Sequence, residues 1–173
     1  MTSDELYQKL IAKALNFVSF RPRSEKEIRE FLEKKLRRLK VVDDPTFQKI
    51  LRRLSELGYL DDQKFAAWWI DQRSTNKPRG QHLVTQELKA KGVSREIIVE
   101  LIENTRESGG RELALAKKAL EKKLMLWRRL PAVGQKKKIY AFLGRRGFAA
   151  DTVFRVVDEV LGKSYNRLPE SGE

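Results

Sequence analysis

The chain has 173 residues, with 37 Lys and Arg against 24 Asp and Glu, for a formal net charge of +13. It has no Cys and one His, His82, which removes Cys/His zinc sites, thiol nucleophiles, iron–sulfur ligation and disulfide frameworks, and no motif around His82 supports a Ser-His-Asp arrangement. No apolar run approaches the ~20 residues of a membrane span, and the start Met1-Thr2-Ser3-Asp4-Glu5 is acidic where a signal peptide is basic and then apolar, so the expectation is a cytoplasmic protein with no membrane partner, whose excess charge suits a polyanion.

Helix signals then follow one another along the chain. Thr2 and Glu5 have capping-box spacing ahead of an apolar stripe at Leu6, Leu10, Ala14 and Phe17. Ser24 and Glu27 make a second box before Ile28, Phe31 and Leu32. Asp44-Pro45 puts a capping carboxylate before a proline at the first helical position, where its missing N–H costs nothing, and Phe47, Ile50, Leu51 and Leu54 follow. Gly58 marks a stop and Asp61 a new N-cap, ahead of Phe65, Trp69 and Ile70. Val84 and Leu88 lead to Gly92, and Ser94 caps a stripe at Ile97, Ile98, Leu101 and Ile102. The last three stripes are Leu113, Ala116, Leu120, Leu124 and Trp127; Ile139, Phe142 and Leu143, stopped at Gly147; and Val153, Val156, Val157 and Val160. Sustained period-two alternation, Asn-Gly or Asp-Gly turns and β-branched runs are missing. The stripes predict nine helices and an all-α fold.

The stripes also repeat. Val84, Leu88, Gly92, Ser94, Ile98 and Leu101 align with Ile139, Leu143, Gly147, Ala149, Val153 and Val156 at one constant offset. The first unit fits through Ile28 and Leu32, with extra residues around Arg37–Asp43 between its second and third helices. The reading is three tandem three-helix repeats over residues 1–59, 60–108 and 109–162, with a polar tail over 163–173. Units of about 50 residues bury little surface alone, so neighbours are expected to pack end to end as an elongated, curved helical array. Nothing signals a symmetric dimer, and a monomer is expected.

Charge is uneven over the repeats. Residues 1–59 carry 14 basic and 9 acidic side chains, residues 60–108 carry 8 of each, and residues 109–173 carry 15 and 7. In the first repeat Glu25–Arg29, Glu30–Lys34 and Glu33–Arg37 have the favourable i,i+4 order of a solvated helix face. In the third, Lys136, Lys137, Lys138, Arg145 and Arg146 share one predicted helix without an acidic residue, and Lys137, Lys138 and Arg145 lie away from the Ile139/Phe142/Leu143 stripe. Lys117, Lys118, Lys122 and Lys123 add to that repeat with only Glu121 among them. These lysines and arginines are candidate contacts to the phosphates of single- or double-stranded DNA, which bind without base specificity and weaken with salt.

The middle of the chain carries the most distinctive string: Gly58-Tyr59-Leu60-Asp61-Asp62, Phe65-Ala66, Trp69-Ile70, Arg73, Lys77, Arg79-Gly80 and Glu87-Leu88-Lys89-Ala90-Lys91-Gly92-Val93. Upstream stands Arg21-Pro22-Arg23-Ser24-Glu25-Lys26-Glu27-Ile28. Together, in this order, they closely resemble the bacterial RecX family over nearly the whole chain, more weakly in the third repeat and not in the tail. The resemblance implies a three-repeat helical protein that regulates a RecA-type recombinase, usually by binding its filament on DNA and inhibiting strand exchange.

Each motif also has a structural reading. Asp61 and Asp62 are explained as an N-cap and a first-turn carboxylate more simply than as a paired-carboxylate site. Gly80 permits close chain approach before the next helix. Trp68 and Trp69 are ~100° apart around a helix, which leaves Trp69 for the core and Trp68 for the surface. His82 reads as a helix-surface residue. Arg21, Arg23, Arg73, Arg79 and Lys77 stand near turns, where arginines either pair with carboxylates and helix ends or serve a partner. With no phosphate-binding loop, metal cluster or activated nucleophile the chain does not read as an enzyme, and no cofactor is implied. Two functions remain: a protein-directed regulator of the RecA–DNA filament, and a sequence-nonspecific nucleic-acid-binding repeat protein. The neutral, aromatic middle repeat favours the first.

Overall fold

A computed structural model describes residues 2–41, 45–106 and 110–162, and among them the secondary structure is entirely helical. The nine helices described are α1 (Ser3–Ser19), α2 (Glu25–Arg38), α3 (Thr46–Glu56), α4 (Asp62–Thr75), α5 (Gln81–Ala90), α6 (Arg95–Arg106), α7 (Arg111–Trp127), α8 (Ala132–Arg145) and α9 (Ala150–Leu161). The tail and residues 42–44, with Asp44, lie outside the described residues.

Local chemistry explains where these helices begin. The Thr2 hydroxyl accepts from the Glu5 amide while the Glu5 carboxylate takes the Thr2 amide, and Ser24 and Glu27 repeat the exchange at α2. Ser24 is fully buried, so its cap bond satisfies a donor that water cannot reach. Asp61 accepts from the Lys64 amide at 2.9 Å, and Ser94 from the Ile97 amide at 3.4 Å. One start moves by a residue. Pro45 stands at the N-cap of α3, not inside it, with no side-chain cap bond; its backbone is already helical, so the one-residue difference lies in where the first turn is counted to begin.

The same stop recurs where the second helix of a group turns into the third. The amides of Gly92 and Val93 reach the Lys89 and Leu88 carbonyls, and those of Gly147 and Phe148 reach the Gly144 and Leu143 carbonyls. Both glycines are left-handed, with φ of 83° and 76°. After α2 the amides of Lys40 and Val41 bond to Arg37 and Leu36 in this pattern, but the left-handed position is held by a lysine at φ 56°.

By its contacts the chain divides into two compact units, Met1–Trp69 with Leu88–Ile98, and Ile70–Glu87 with Val99–Glu173. In the first, α1, α2 and α3 close over Leu6, Leu10, Ala14, Ile28, Leu32, Ile50 and Leu54. Burying each Leu or Ile contributes roughly 1.5–3 kcal/mol, and Phe17 stacks on Phe31 at the edge of this core with ring centroids 4.2 Å apart. Phe65, Ala66, Leu88, Val93 and Ile98 are also buried in this unit. In the second, α7, α8 and α9 close over Leu113, Ala116, Leu120, Ile139, Leu143, Val153, Val156 and Val157. Gly80 belongs to this unit, and its amide donates to the Arg146 carbonyl at 2.8 Å. A Cβ there would fall inside the Gly147–Phe148 backbone, so the close approach anticipated for Gly80 is real.

The tryptophans part from expectation. Trp69 and Ile70 are half-buried, and so is Trp68. Both indoles pack against the buried Phe65 ring, with centroids 6.1 and 5.7 Å away, and each also meets a cation: Arg21 is 5.8 Å from the Trp68 centroid and Lys91 5.5 Å from that of Trp69.

Candidate functional site

In the first unit the segment between α1 and α2 is built around one carboxylate. Arg21 grips Glu27 with both guanidinium nitrogens, at 3.2 and 2.9 Å, and the Lys91 ammonium reaches the same side chain at 2.6 Å. The Ser24 amide adds a bond at 3.3 Å. Burial works to raise the Glu27 pKa, but the hydrogen bonds from Arg21 and Lys91 outweigh it and hold the carboxyl at about 2. Arg23 lies 3.9 Å over the Phe17 ring and donates to the Phe17 carbonyl at 3.2 Å. Burial, then the neighbouring Arg21, lower its pKa.

Beside this network runs an open groove whose lining includes Phe20, Arg21, Arg23, Tyr59, Asp61 and Lys64. Phe20 and Tyr59 are exposed, at 76% and 41%. Two motif segments distant in sequence thus line one surface. Asp61 and Asp62 do not form a paired site. Asp61 holds the Lys64 amide and ammonium, which lower its pKa. Asp62 turns away and accepts from the Glu25 amide at 2.8 Å, and burial raises its pKa. The bond from Asp62 to the first turn of α2 spans 37 residues, and nothing in the sequence pattern marks it.

The second unit repeats the device with different residues. Glu87 takes Arg73 Nε on one oxygen at 2.7 Å and Arg79 on the other. The sequence places Arg146 on the same helix as Arg145, as a further candidate contact. It stands instead at the C-cap, 4.6 Å over the Phe142 ring, and donates to the Pro78 carbonyl at 3.0 Å. The left-handed Gly147 that follows ends the helix and swings this side chain off the face. Burial, with Arg73 and Arg146 nearby, lowers the Arg79 pKa. Two of these three guanidiniums, those of Arg73 and Arg79, thus share the Glu87 carboxylate.

The remaining candidates separate by partner. Lys117, a candidate phosphate contact, pairs with Glu159 of α9, a residue no local pattern places beside it. Lys118 reaches the Ser74 carbonyl at 3.5 Å. Lys77 and Lys122 are exposed and Lys136 is half-buried. Lys137, Lys138 and Arg145 are exposed on α8, and among the described residues no carboxylate forms an ion pair with them. Among the described residues no group of three or more His, Asp or Glu could hold a metal, and no helix is long and apolar enough to cross a membrane.

Short three-helix groups in tandem, with charged arginine turns and recurring helix stops, define an all-helical repeat protein. A family model for the second three-helix domain of RecX matches residues 61–102, and one for the third matches residues 111–157. The chain is 33% identical to the regulatory protein RecX of Pelodictyon phaeoclathratiforme over 135 residues, 78% of either chain. It is 31% identical to that of Bacillus subtilis over 149 residues, 86% of this chain and 53% of the relative. The chain belongs to the RecX family. It spans about half the length of the Bacillus relatives it matches, 53% in each case. Its fold is similar to a crystal structure of a regulatory protein RecX, with a TM-score of 0.69 and 23% identity over 88% of this chain and 73% of that one. It is also similar to the crystal structure of RecX from Lactobacillus salivarius, with a TM-score of 0.64 and 21% identity over 89% and 96%.

Proposed function

We propose that the chain is a regulator that binds a RecA-type recombinase filament on DNA and inhibits its ATPase and strand exchange, acting without catalysis or a cofactor of its own. Residues 1–59, 60–108 and 109–162 serve it as three repeats. The observation that carries the reading is the contrast in how cations are used. The motif arginines Arg21, Arg73 and Arg79 are committed to Glu27 and Glu87, whereas Lys137, Lys138 and Arg145 stand exposed on α8. The paired arginines hold the aromatic surfaces in shape for a protein partner, and the exposed cations meet phosphate. Membership of a family of regulatory proteins supports the same assignment.

The test is a recombinase ATPase and strand-exchange assay on single-stranded DNA with sub-stoichiometric protein. Inhibition is expected, and it should persist at salt that abolishes binding to naked DNA, because exposed charge contacts are screened and protein contacts much less so. Inhibition and naked-DNA binding lost together with salt would favour the second reading, a nonspecific nucleic-acid binder that merely competes for DNA. The exposed cations of α8 are the observation behind that alternative.

A further inference from the structure

Within the second unit, α7 and α8 border a groove of about 400 Å³ that the cation contrast leaves unexplained. Its floor is apolar, formed by Trp127, Leu130, Gly134 and Ala141, and its rim is Lys137, Lys138 and Arg145. The indole is held edge-on by Phe142, with centroids 5.8 Å apart and planes at 80°, and Lys138 lies 6.0 Å from its centroid. Lys137, Ala141 and Arg145 follow one another at i, i+4 and i+8, so two cations about 12 Å apart along the helix flank a small, exposed alanine. Two carboxylates of the unit are engaged elsewhere, Glu112 with Thr152 and Glu159 with Lys117. Residues 110–162 hold 13 Lys and Arg against 5 Asp and Glu, so the field at the groove is positive.

We propose that this groove is a base-stacking site for single-stranded nucleic acid, with a base on the Trp127 floor and the flanking phosphates on Lys137, Lys138 and Arg145. The charge asks for a polyanion, and the shape says which. A flat aromatic floor beside Gly134 and Ala141 admits a planar ring, and stacking is tolerant of sequence. An acidic amphipathic helix would need a longer line of apolar pockets at i, i+3, i+4 and i+7, which this short floor does not offer. Duplex DNA presents phosphates but keeps its bases stacked on each other. The proposal rests on the nucleic-acid half of the regulator reading and adds where a base would lie.

The experiment compares binding of the full chain to a short oligo(dT) and to an abasic strand of the same length. Wild type is expected to favour oligo(dT) by about fivefold or more. Ala141→Leu, which fills the floor without touching charge, should level the two affinities while leaving abasic binding unchanged. In a Trp68→Phe/Trp69→Phe background, Trp127 emission should be quenched by oligo(dT) and not by the abasic strand, a readout independent of how Ala141→Leu folds. Equal wild-type affinities, a preference that survives Ala141→Leu in a folded variant, or unquenched Trp127 would overturn the site. Saturable binding of a carboxylate-rich helical peptide in place of either strand would assign the groove to a protein and overturn it too. A base preference intact in a protein that fails to inhibit the recombinase supports the groove and removes only the regulator reading.

Discussion

The arginines around Glu27 and Glu87 and the lysines of α8 are alike in formal charge and opposite in circumstance. Arg21, Arg73 and Arg79 have side chains 26–32% exposed and each is bonded to a carboxylate only 13–15% exposed. Lys137 and Lys138 are exposed and pair with no carboxylate among the described residues. A count of +13 therefore overstates the charge free to meet a partner. Availability depends on whether a carboxylate is folded against the cation, which a charge count cannot register.

The contrast can be broken at several points. The largest effect is expected from Gly80→Ala. Its Cβ would drive the Arg79–Gln81 backbone from Gly147, breaking the Gly80–Arg146 bond and disturbing the arginine network, at a cost of about 3 kcal/mol or more in chemical denaturation. Gly144→Ala is the control: nothing lies near its Cβ, and in the last turn of α8 it should stabilise by up to about 0.5 kcal/mol, the low end of the glycine-to-alanine gain in a helix.

Next is Glu27. Its carboxyl sits at about 2 in the folded chain against an ordinary value near 4.5. A depressed folded pKa means that its stabilisation is complete above pH ~4.5 and is lost as the pH falls toward the folded value. Glu27→Gln should cost about 2–3 kcal/mol at neutral pH and should flatten the acid limb of a stability–pH curve between pH ~4.5 and ~2. An unchanged acid limb would mean that the Arg21–Glu27–Lys91 network stores no folding energy.

Replacing Lys137, Lys138 and Arg145 together by Gln should leave stability within about 0.5 kcal/mol. Naked-DNA affinity should fall, and the salt slope should drop by about one per phosphate contact removed. If this variant melts like Glu27→Gln, the α8 cations are structural after all. The smallest effect is at Lys40, whose left-handed backbone is strained for any residue with a Cβ. Lys40→Gly should raise the free energy of unfolding, read from chemical denaturation, by about 0.5 kcal/mol.

What was legible follows from range. The N-caps at Thr2, Ser24, Asp61 and Ser94, the stops at Gly58, Gly92 and Gly147, and the buried stripe residues Leu6, Leu10 and Ala14 of α1 and Val153, Val156 and Val157 of α9 depend on neighbours within a turn or two, and a pattern of that length can be read, although Val160 at the end of its stripe is exposed. Lys40 escaped because no glycine advertises its left-handed turn. The partners of Glu27 and Asp62 escaped because Lys91 and Glu25 lie 64 and 37 residues away. The candidate surfaces were legible as residue types and not as an arrangement. Arg146 sits among the basic residues in sequence, yet a single glycine beyond α8 sends it to Pro78.

The bond from Asp62 to the Glu25 amide bears on how such a chain could be cut or grown. The first three helices carry the repeat pattern, but the acceptor for the opening turn of α2 arrives with the first residue of α4. A fragment ending at Tyr59 would hold the first three helices and still be an incomplete folding unit, with the Glu25 donor left without its Asp62 acceptor and Leu60 missing from its place on the core. Extending the fragment to Trp69 restores both. Limited proteolysis should accordingly release a stable amino-terminal piece that ends beyond Asp62, and a recombination that exchanges repeats should carry that aspartate along with the repeat before it.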